Sequence, residues 1–375
     1  MSRTLNGSRD PNAPWYHLDP LVALAAVALA GLGIASIYSA TRGTNPLAYN
    51  TFYLERQTMF VVIGIGMGTV AALVDYQRLR LLSPLLYALS IVLLLAVLSP
   101  LGSEVNGAQA WFNFAGFGIQ PSEFAKLAVI VMLANYLSRF DGDLNLRQLA
   151  VALSIPAFPM LLILQQPDVG TLLVFIAIIM GMLWIGGARL SHIAVMTVTG
   201  IGMLAAVLNS PLLADYQRDR LTVFLDGDIT DSGTGFNQGQ AQIAIGNGGF
   251  SGKGYGLGDQ TRSGLVPEQE TDFIFTVIGE ELGFIGSMLV LGLFGLLIWR
   301  IWRAAQLAKD SFGTLICVGI LAMIIFQMFE SIGMTAGMMP VTGIPLPFIS
   351  FGGSSSLVSF IAIGLVMNVR MRRWQ

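Results

Sequence analysis

Pro267-Glu268-Gln269-Glu270-Thr271-Asp272-Phe273-Ile274-Phe275 carries the chain from a long polar stretch into an apolar one, with an aspartate at the seam. A carboxylate at the edge of hydrocarbon is costly to desolvate, so its presence calls for a role. Helical periodicity extended from there predicts Asp272, Thr276 and Glu280 on one stripe, with Glu281 turned to the other side. That stripe is a candidate reaction or transport path.

The run that begins at Phe273 is one of many. The chain of 375 residues is 54% hydrophobic and 11% charged, with a mean hydropathy of +0.69, which leaves too little polar surface for a water-soluble globule of this size. Runs with few or no charges are predicted to cross a hydrocarbon core about 30 Å thick as helices. Ten such spans are expected, over residues 20–40, 57–74, 81–101, 124–137, 149–164, 169–188, 193–208, 273–298, 312–338 and 351–369. The fold class is an all-α polytopic membrane protein: a tail over residues 1–19, then one membrane domain over 20–375 with no dividing linker and no internal repeat.

Orientation follows from the cations of the short loops. With the N-terminus cytoplasmic, the inner side collects Arg3, Arg9, Arg78, Arg80, Arg139, Arg147, Arg189, Arg300, Arg303, Lys309, Arg370, Arg372 and Arg373, while the outer side holds Arg42, Arg56 and Lys126. Both termini are then cytoplasmic, and residues 209–272 form one large extracytoplasmic loop. The polar start leads into a full-length span without a small-residue cleavage site, so no cleaved signal is expected. A net charge of -2 argues against a nucleic-acid partner. Cys317 is the single cysteine, which excludes an intramolecular disulfide, and His17 and His192 both fall on the inner side, which excludes a His-based metal site or triad outside.

Several polar residues stand out against this background. Glu123 suits the N-terminus of a helix opened by Pro121, but Lys126 in the same first turns opposes the macrodipole. It either pairs with Glu123 or an anionic substrate group, or snorkels to the headgroups. Asp168, after Pro167 at an outer turn, reads as an N-cap or a site residue. Glu330 lies within a span and needs a partner there. Trp111 reads as an interfacial anchor in an amphipathic outer segment over 102–120. Arg218 and Arg220 suit a phosphate or a lipid headgroup, or surface charge pairs. The run 246–258, rich in glycine, is expected to be irregular, with backbone N–H groups free to approach a ligand. It does not match a phosphate-cradling loop, because Gly254 follows Lys253 where Ser or Thr is required. Pro345 and Pro347 rule out regular helix before Ser350, and such backbone at membrane depth packs in protein or lines a cavity.

Taken together, Asn106-Gly107-Ala108-Gln109-Ala110-Trp111, Gln120-Pro121-Ser122-Glu123-Phe124-Ala125-Lys126, Gln166-Pro167-Asp168-Val169-Gly170-Thr171, Thr271-Asp272-Phe273-Ile274-Phe275, Gly279-Glu280-Glu281-Leu282-Gly283 and Pro345-Leu346-Pro347-Phe348-Ile349-Ser350-Phe351-Gly352-Gly353-Ser354 resemble the SEDS family (shape, elongation, division and sporulation), the RodA and FtsW proteins of bacterial cell-wall synthesis. Asp215-Tyr216-Gln217-Arg218 and Gly343-Ile344-Pro345-Leu346-Pro347 look more like its elongation branch, RodA. Phe351 departs from a frequent Tyr, and Gln269-Glu270 stands where a His often precedes the Thr.

The resemblance implies a peptidoglycan glycosyltransferase in the bacterial cytoplasmic membrane, polymerising lipid II at the outer face with inversion, onto undecaprenyl-linked glycan, beside a class B penicillin-binding protein that crosslinks the strand. It implies Asp272 as the essential carboxylate, with Trp111, Glu123, Lys126, Glu280 and Glu281 at positions the family uses. A sugar hydroxyl is a weak nucleophile, so a base within hydrogen-bond reach is required, and Asp272 is the candidate. The leaving lipid pyrophosphate needs positive charge, from Lys126, from Arg218 or Arg220, or from a divalent cation such as Mg or Mn. Other readings compete: a lipid II flippase with Glu123, Glu280 and Glu330 as a polar path, a division-specific polymerase of the FtsW type, and a scaffold whose spans recruit enzymes and in which the carboxylates are silent.

Overall fold

The computed structural model describes residues 18–43, 51–105, 108–114, 117–208 and 234–373. Its helices are α1 (Pro20–Thr41), α2 (Phe52–Leu73), α3 (Tyr76–Val97), α4 (Pro121–Leu137), α5 (Leu146–Leu164), α6 (Val169–Ile185), α7 (Leu190–Leu208), α8 (Thr234–Gly248), α9 (Asp259–Ser263), α10 (Ile274–Gln306), α11 (Ser311–Thr335) and α12 (Gly353–Met371). Each of the ten expected spans falls on a helix, α1 to α7 and α10 to α12. Seven of these are long and apolar enough to cross a membrane by length and composition, and α6 and the first part of α7 are shorter apolar helices.

Local signals account for many of the helix starts. The side chains of Asp19, Asp75, Asp168 and Asp310 each accept a backbone N–H at the head of α1, α3, α6 and α11, and Asn145 closes a reciprocal capping box with Gln148 on α5. The helices pack with small residues at close approaches. Gly68 on α2 and Gly364 on α12 let the two backbones touch, since a Cβ on Gly364 would fall 2.1 Å from the Gly68 carbonyl oxygen. Large apolar side chains such as Leu81, Leu85, Val198 and Trp184 point outward, as a bilayer solvent requires.

The bundle has two charged poles. At one, Asp19 takes ion pairs from Arg300 (2.7 Å) and Arg370 (2.5 Å), joining the start of α1 to the ends of α10 and α12. At the other, Ser39 near the end of α1 donates to Glu281 near the start of α10 (2.6 Å). α1 and α10 are therefore antiparallel. From Glu281 to Arg300 the chain climbs about 28 Å at 1.5 Å per residue, close to the thickness of a hydrocarbon core.

Three details refine the expected helical bundle. First, beside the helices, where an amphipathic segment was expected, β1 (Ser103–Val105), β2 (Ala108–Phe114) and β3 (Phe117–Ile119) form an antiparallel sheet in the order β1-β2-β3. The aromatic run Trp111-Phe112-Asn113-Phe114 favours a pleated, half-buried surface over a helix. Second, residues 234–272 of the expected loop carry the helices α8 and α9, and residues 209–233 lie outside the described residues. Third, α10 is interrupted at Gly283, whose φ of 64° and ψ of -157° are not helical.

Candidate active site

α4 starts from Gln120 and Pro121, which places Glu123 in its first turn and Lys126 one turn further on. Lys126 Nζ lies 2.6 Å from Glu123 Oε1, with side-chain exposures of 1% and 5%. The lysine is thus folded back on its own helix and does not snorkel; a buried ammonium needs a partner, and the i,i+3 spacing supplies one.

Asp168 caps α6 by accepting from Thr171 N (2.9 Å) and Thr171 Oγ1 (2.7 Å), and it also accepts from Gln120 Nε2 (3.0 Å). The N-cap and site readings of this residue therefore coincide, because Gln120 ties the head of α6 to the head of α4. Between these heads lies a cavity of about 40 Å³, lined by Gln120, Glu123, Lys126, Asp168, Thr171, Val174, Gln327, Gly343, Ile344 and Pro345. The irregular segment before Ser350 thus does both things open to such backbone: Gly343, Ile344 and Pro345 line the cavity, and Leu346, Phe348 and Ile349 pack in the core.

Asp272 is not among the residues that line this cavity, but it lies against one of them, Gly343. It sits in a tight turn, its N–H donating to the Glu268 carbonyl (3.1 Å), and α10 begins only at Ile274. Its Oδ2 lies 3.2 Å from where a Cβ on Gly343 would fall. Glu330 is buried on α11 and accepts from Thr342 Oγ1 (3.0 Å), which pins the same segment one residue away. Ser350 closes the segment, its Oγ accepting from Leu346 N (2.8 Å) while its carbonyl accepts from Gln57 Nε2 (3.2 Å).

The stripe of Asp272, Thr276 and Glu280 does not form a path. Asp272 precedes the helix, and Glu280 is fully buried among protein donors: it accepts from Gln260 N (2.8 Å), Thr261 N (2.9 Å) and Thr261 Oγ1 (2.7 Å). α9 has no side-chain cap of its own from Gly258, so Glu280 caps it from another element, a favourable place for a carboxylate. Glu281 is held by Ser39, as described above.

The glycine-rich run is also reassigned. Lys253 N and Gly254 N donate to the Glu280 and Glu281 carbonyls (both 3.0 Å), and Phe284 N and Ile285 N donate to the Gly249 and Phe250 carbonyls (3.0 and 3.2 Å). The break at Gly283 strips these groups of helical partners, and backbone polar groups in an apolar surrounding must be satisfied elsewhere. Those amides are spent on α10 and not offered to a ligand.

Trp111 lies on β2 against Gly118 and is not among the cavity-lining residues. Arg218 and Arg220 lie outside the described residues. Among the described residues, no three His, Cys, Asp or Glu side chains cluster to hold a metal ion. Sequence reasoning passed over Gln120, Thr171 and Gln327; the signal for Gln327 was its place three residues before Glu330 inside an apolar span.

The bundle and its recessed polar site define a polytopic membrane protein that gathers Glu123, Lys126, Asp168 and Asp272 at one end. A family model described as cell cycle protein, covering FtsW, RodA and SpoVE, matches residues 20–375, and the chain belongs to this family, the SEDS proteins. It is 38% identical over 357 residues to stage V sporulation protein E of Bacillus subtilis, covering 94% of this chain and 96% of that protein. It is 35% identical over 364 residues to peptidoglycan glycosyltransferase MrdB of Escherichia coli K12, covering 95% and 94%, and 32% identical over 425 residues to peptidoglycan glycosyltransferase RodA of Treponema pallidum, covering 95% and 98%.

Among solved structures, it is similar to a chain from a study of the structural coordination of polymerization and crosslinking by a peptidoglycan synthase complex. The TM-score is 0.81 and the identity 29%, over 96% of this chain and 99% of that one. The crystal structure of Thermus thermophilus rod shape determining protein RodA matches with a TM-score of 0.72 and 28% identity, over the same shares.

Proposed function

We propose that this chain is a peptidoglycan glycosyltransferase of the RodA type, polymerising lipid II at the outer face of the bacterial cytoplasmic membrane in cell elongation. The relatives named for that activity support the reaction, and the basic pole at Arg300 and Arg370 supports a cytoplasmic placement of the opposite end from Asp272. The observation that carries the reading is the contact of Asp272 with Gly343, a residue that lines the same cavity as Glu123 and Lys126.

In this mechanism Asp272 takes the proton from the acceptor's 4-hydroxyl as that oxygen attacks the donor's anomeric carbon. The carbon–oxygen bond to the lipid pyrophosphate breaks on the opposite side, so the centre inverts. Glu123 and Lys126 act as a pair that shapes the donor side, Arg218 and Arg220 supply positive charge to the departing pyrophosphate, and Trp111 anchors the outer sheet. Glu280 and Glu281 act at one remove, by fixing the loop and α1 beside the turn of Asp272. A class B penicillin-binding protein crosslinks the product, in keeping with the complex in which a similar chain was solved.

Asp272→Asn in purified protein, supplied with lipid II in detergent, is expected to lower polymer formation by roughly 10²- to 10⁴-fold, the usual worth of a positioned base. Polymer at the wild-type rate would remove Asp272 from this role. Detergent makes the substrate accessible without translocation, so polymer formed there is not the work of a flippase.

A further inference from the structure

Glu268, Gln269 and Glu270 lead into Asp272 through backbone that does not hold itself. Glu268 has a φ of 52°, a conformation unfavourable for a residue with a side chain, which persists only where the surroundings impose it. Asp272 ends the same turn, its N–H on the Glu268 carbonyl, so whatever fixes the turn also fixes the carboxylate. One tether lies on the side of α1 and α9, where Gln269 Nε2 donates to the carbonyls of Ala40 (2.7 Å) and Thr261 (3.1 Å).

The other tether lies on the side of α2, and there side chain meets side chain. The Tyr53 hydroxyl donates to the Glu270 carboxylate. The Glu270 carbonyl accepts from Phe351 N (2.9 Å), and the rings of Tyr53 and Phe351 meet edge to face at 5.0 Å. One turn further along α2, Gln57 holds the same segment, donating to the Ser350 carbonyl (3.2 Å) and accepting from Gly352 N (3.3 Å). The turn, the head of α2 and residues 350–352 thus form one clasp, and the irregular segment that runs into it begins near Gly343, against which Asp272 rests. Within this clasp the bond between Tyr53 and Glu270 is the strong one, because a hydroxyl on a carboxylate outweighs a hydroxyl on a neutral acceptor. A tyrosine that served only as an anchor in the headgroups would turn its hydroxyl to water. This one gives it to the turn that carries Asp272.

We infer that Tyr53 and Glu270 are positioning residues for polymerisation, their bond holding the turn at the setting that keeps the Asp272 carboxylate within reach of the acceptor hydroxyl. They act through Asp272 and not on the reacting atoms. This rests on the proposed reaction and deepens it, because it names the pair that aims the base.

The test is a cycle of variants in purified, full-length protein with lipid II as substrate. Tyr53→Phe keeps the ring on Phe351 and deletes only the hydroxyl; it is expected to lower kcat by roughly tenfold, with KM within about twofold of wild type. Glu270→Met should do the same, and the double variant should cost little more than either alone. Glu270→Gln, whose Oε1 still accepts from the hydroxyl, should retain most of the activity that Glu270→Met loses. Melting temperature and folded yield are read in parallel, because a contact that serves stability alone would lower those and leave kcat per folded molecule unchanged. That outcome overturns the inference, as do losses that multiply independently or a Glu270→Gln protein no better than Glu270→Met; the comparison of the two Glu270 variants stands even should Tyr53→Phe not fold. Wild-type protein that makes no polymer from lipid II would instead sink the reaction itself.

Discussion

Lys126 and Glu123 are locked to each other at 2.6 Å, both almost wholly out of contact with solvent. Removing one partner of such a pair leaves a lone buried charge, which costs more than the pair contributes. Lys126→Met is therefore expected to destabilise the protein by about 3–5 kcal/mol, read as a fall in the melting temperature in detergent. The double substitution Lys126→Met with Glu123→Gln should recover most of that loss. A single substitution without thermal effect would mean that the ion pair is not maintained in the protein in solution.

Glu280 offers a second test, because it gathers three donors from α9 across a gap of twenty residues. Glu280→Gln keeps the shape but turns an amide N–H toward those donors, at an expected cost of about 1–3 kcal/mol. The loss should be local. Hydrogen exchange is expected to quicken at Gln260 and Thr261 while α12 stays protected, and Thr261→Val should reproduce part of the effect. Uniform loosening across the bundle would contradict a latch confined to α9.

The long apolar runs were legible in the sequence because the bilayer demands continuous helices, and of the caps Asp168 was legible because it follows Pro167 at a turn; the caps at Asp19 and Asp310 came with the structure. Asp168 and Lys126 were legible as residues but not as neighbours, since the contact between the heads of α4 and α6 passes through Gln120, far from Asp168 in sequence. Glu280 misled for a related reason. Periodicity places a side chain on a face of a helix but does not say what packs there, and α9 packs there. The role of the glycine run was hidden in the backbone: the pairing of Lys253 and Gly254 with Glu280 and Glu281 depends on the break at Gly283, which its neighbours in sequence do not betray.

That break makes Gly283 a sensitive position. Its φ of 64° is unfavourable for any other residue, and an added Cβ would stand 2.3 Å from Gly252 N. Gly283→Ala is expected to cost at least about 1–3 kcal/mol from backbone strain, with more from displacing the segment 249–254. Exchange protection at Lys253, Gly254, Phe284 and Ile285 should fall together, since these amides belong to one set of bonds. Loss at Phe284 with full protection at Lys253 would show that the two sides of the clasp are independent.

Gly343 separates geometry from stability at the site itself. It has a φ of 74°, and a Cβ there would stand 3.2 Å from Asp272 Oδ2, a contact tight enough that the carboxylate must give by a few tenths of an ångström. Thr342 on one side is tethered by Glu330, and Ile344 on the other packs against Gly170, so the segment has little room to yield and Asp272 moves instead. Misplacing a base by such a distance lowers kcat far more than it lowers substrate binding. Gly343→Ala is thus expected to reduce kcat for lipid II polymerisation by roughly tenfold, less than the 10²-fold that a displacement of about 1 Å costs, with KM within a fewfold of wild type, while stability changes by no more than about 1–3 kcal/mol for the strained backbone. Equal losses in kcat and in folded yield would assign the effect to folding, and an unaltered kcat would mean that Asp272 does not work from the position in which it rests against this glycine.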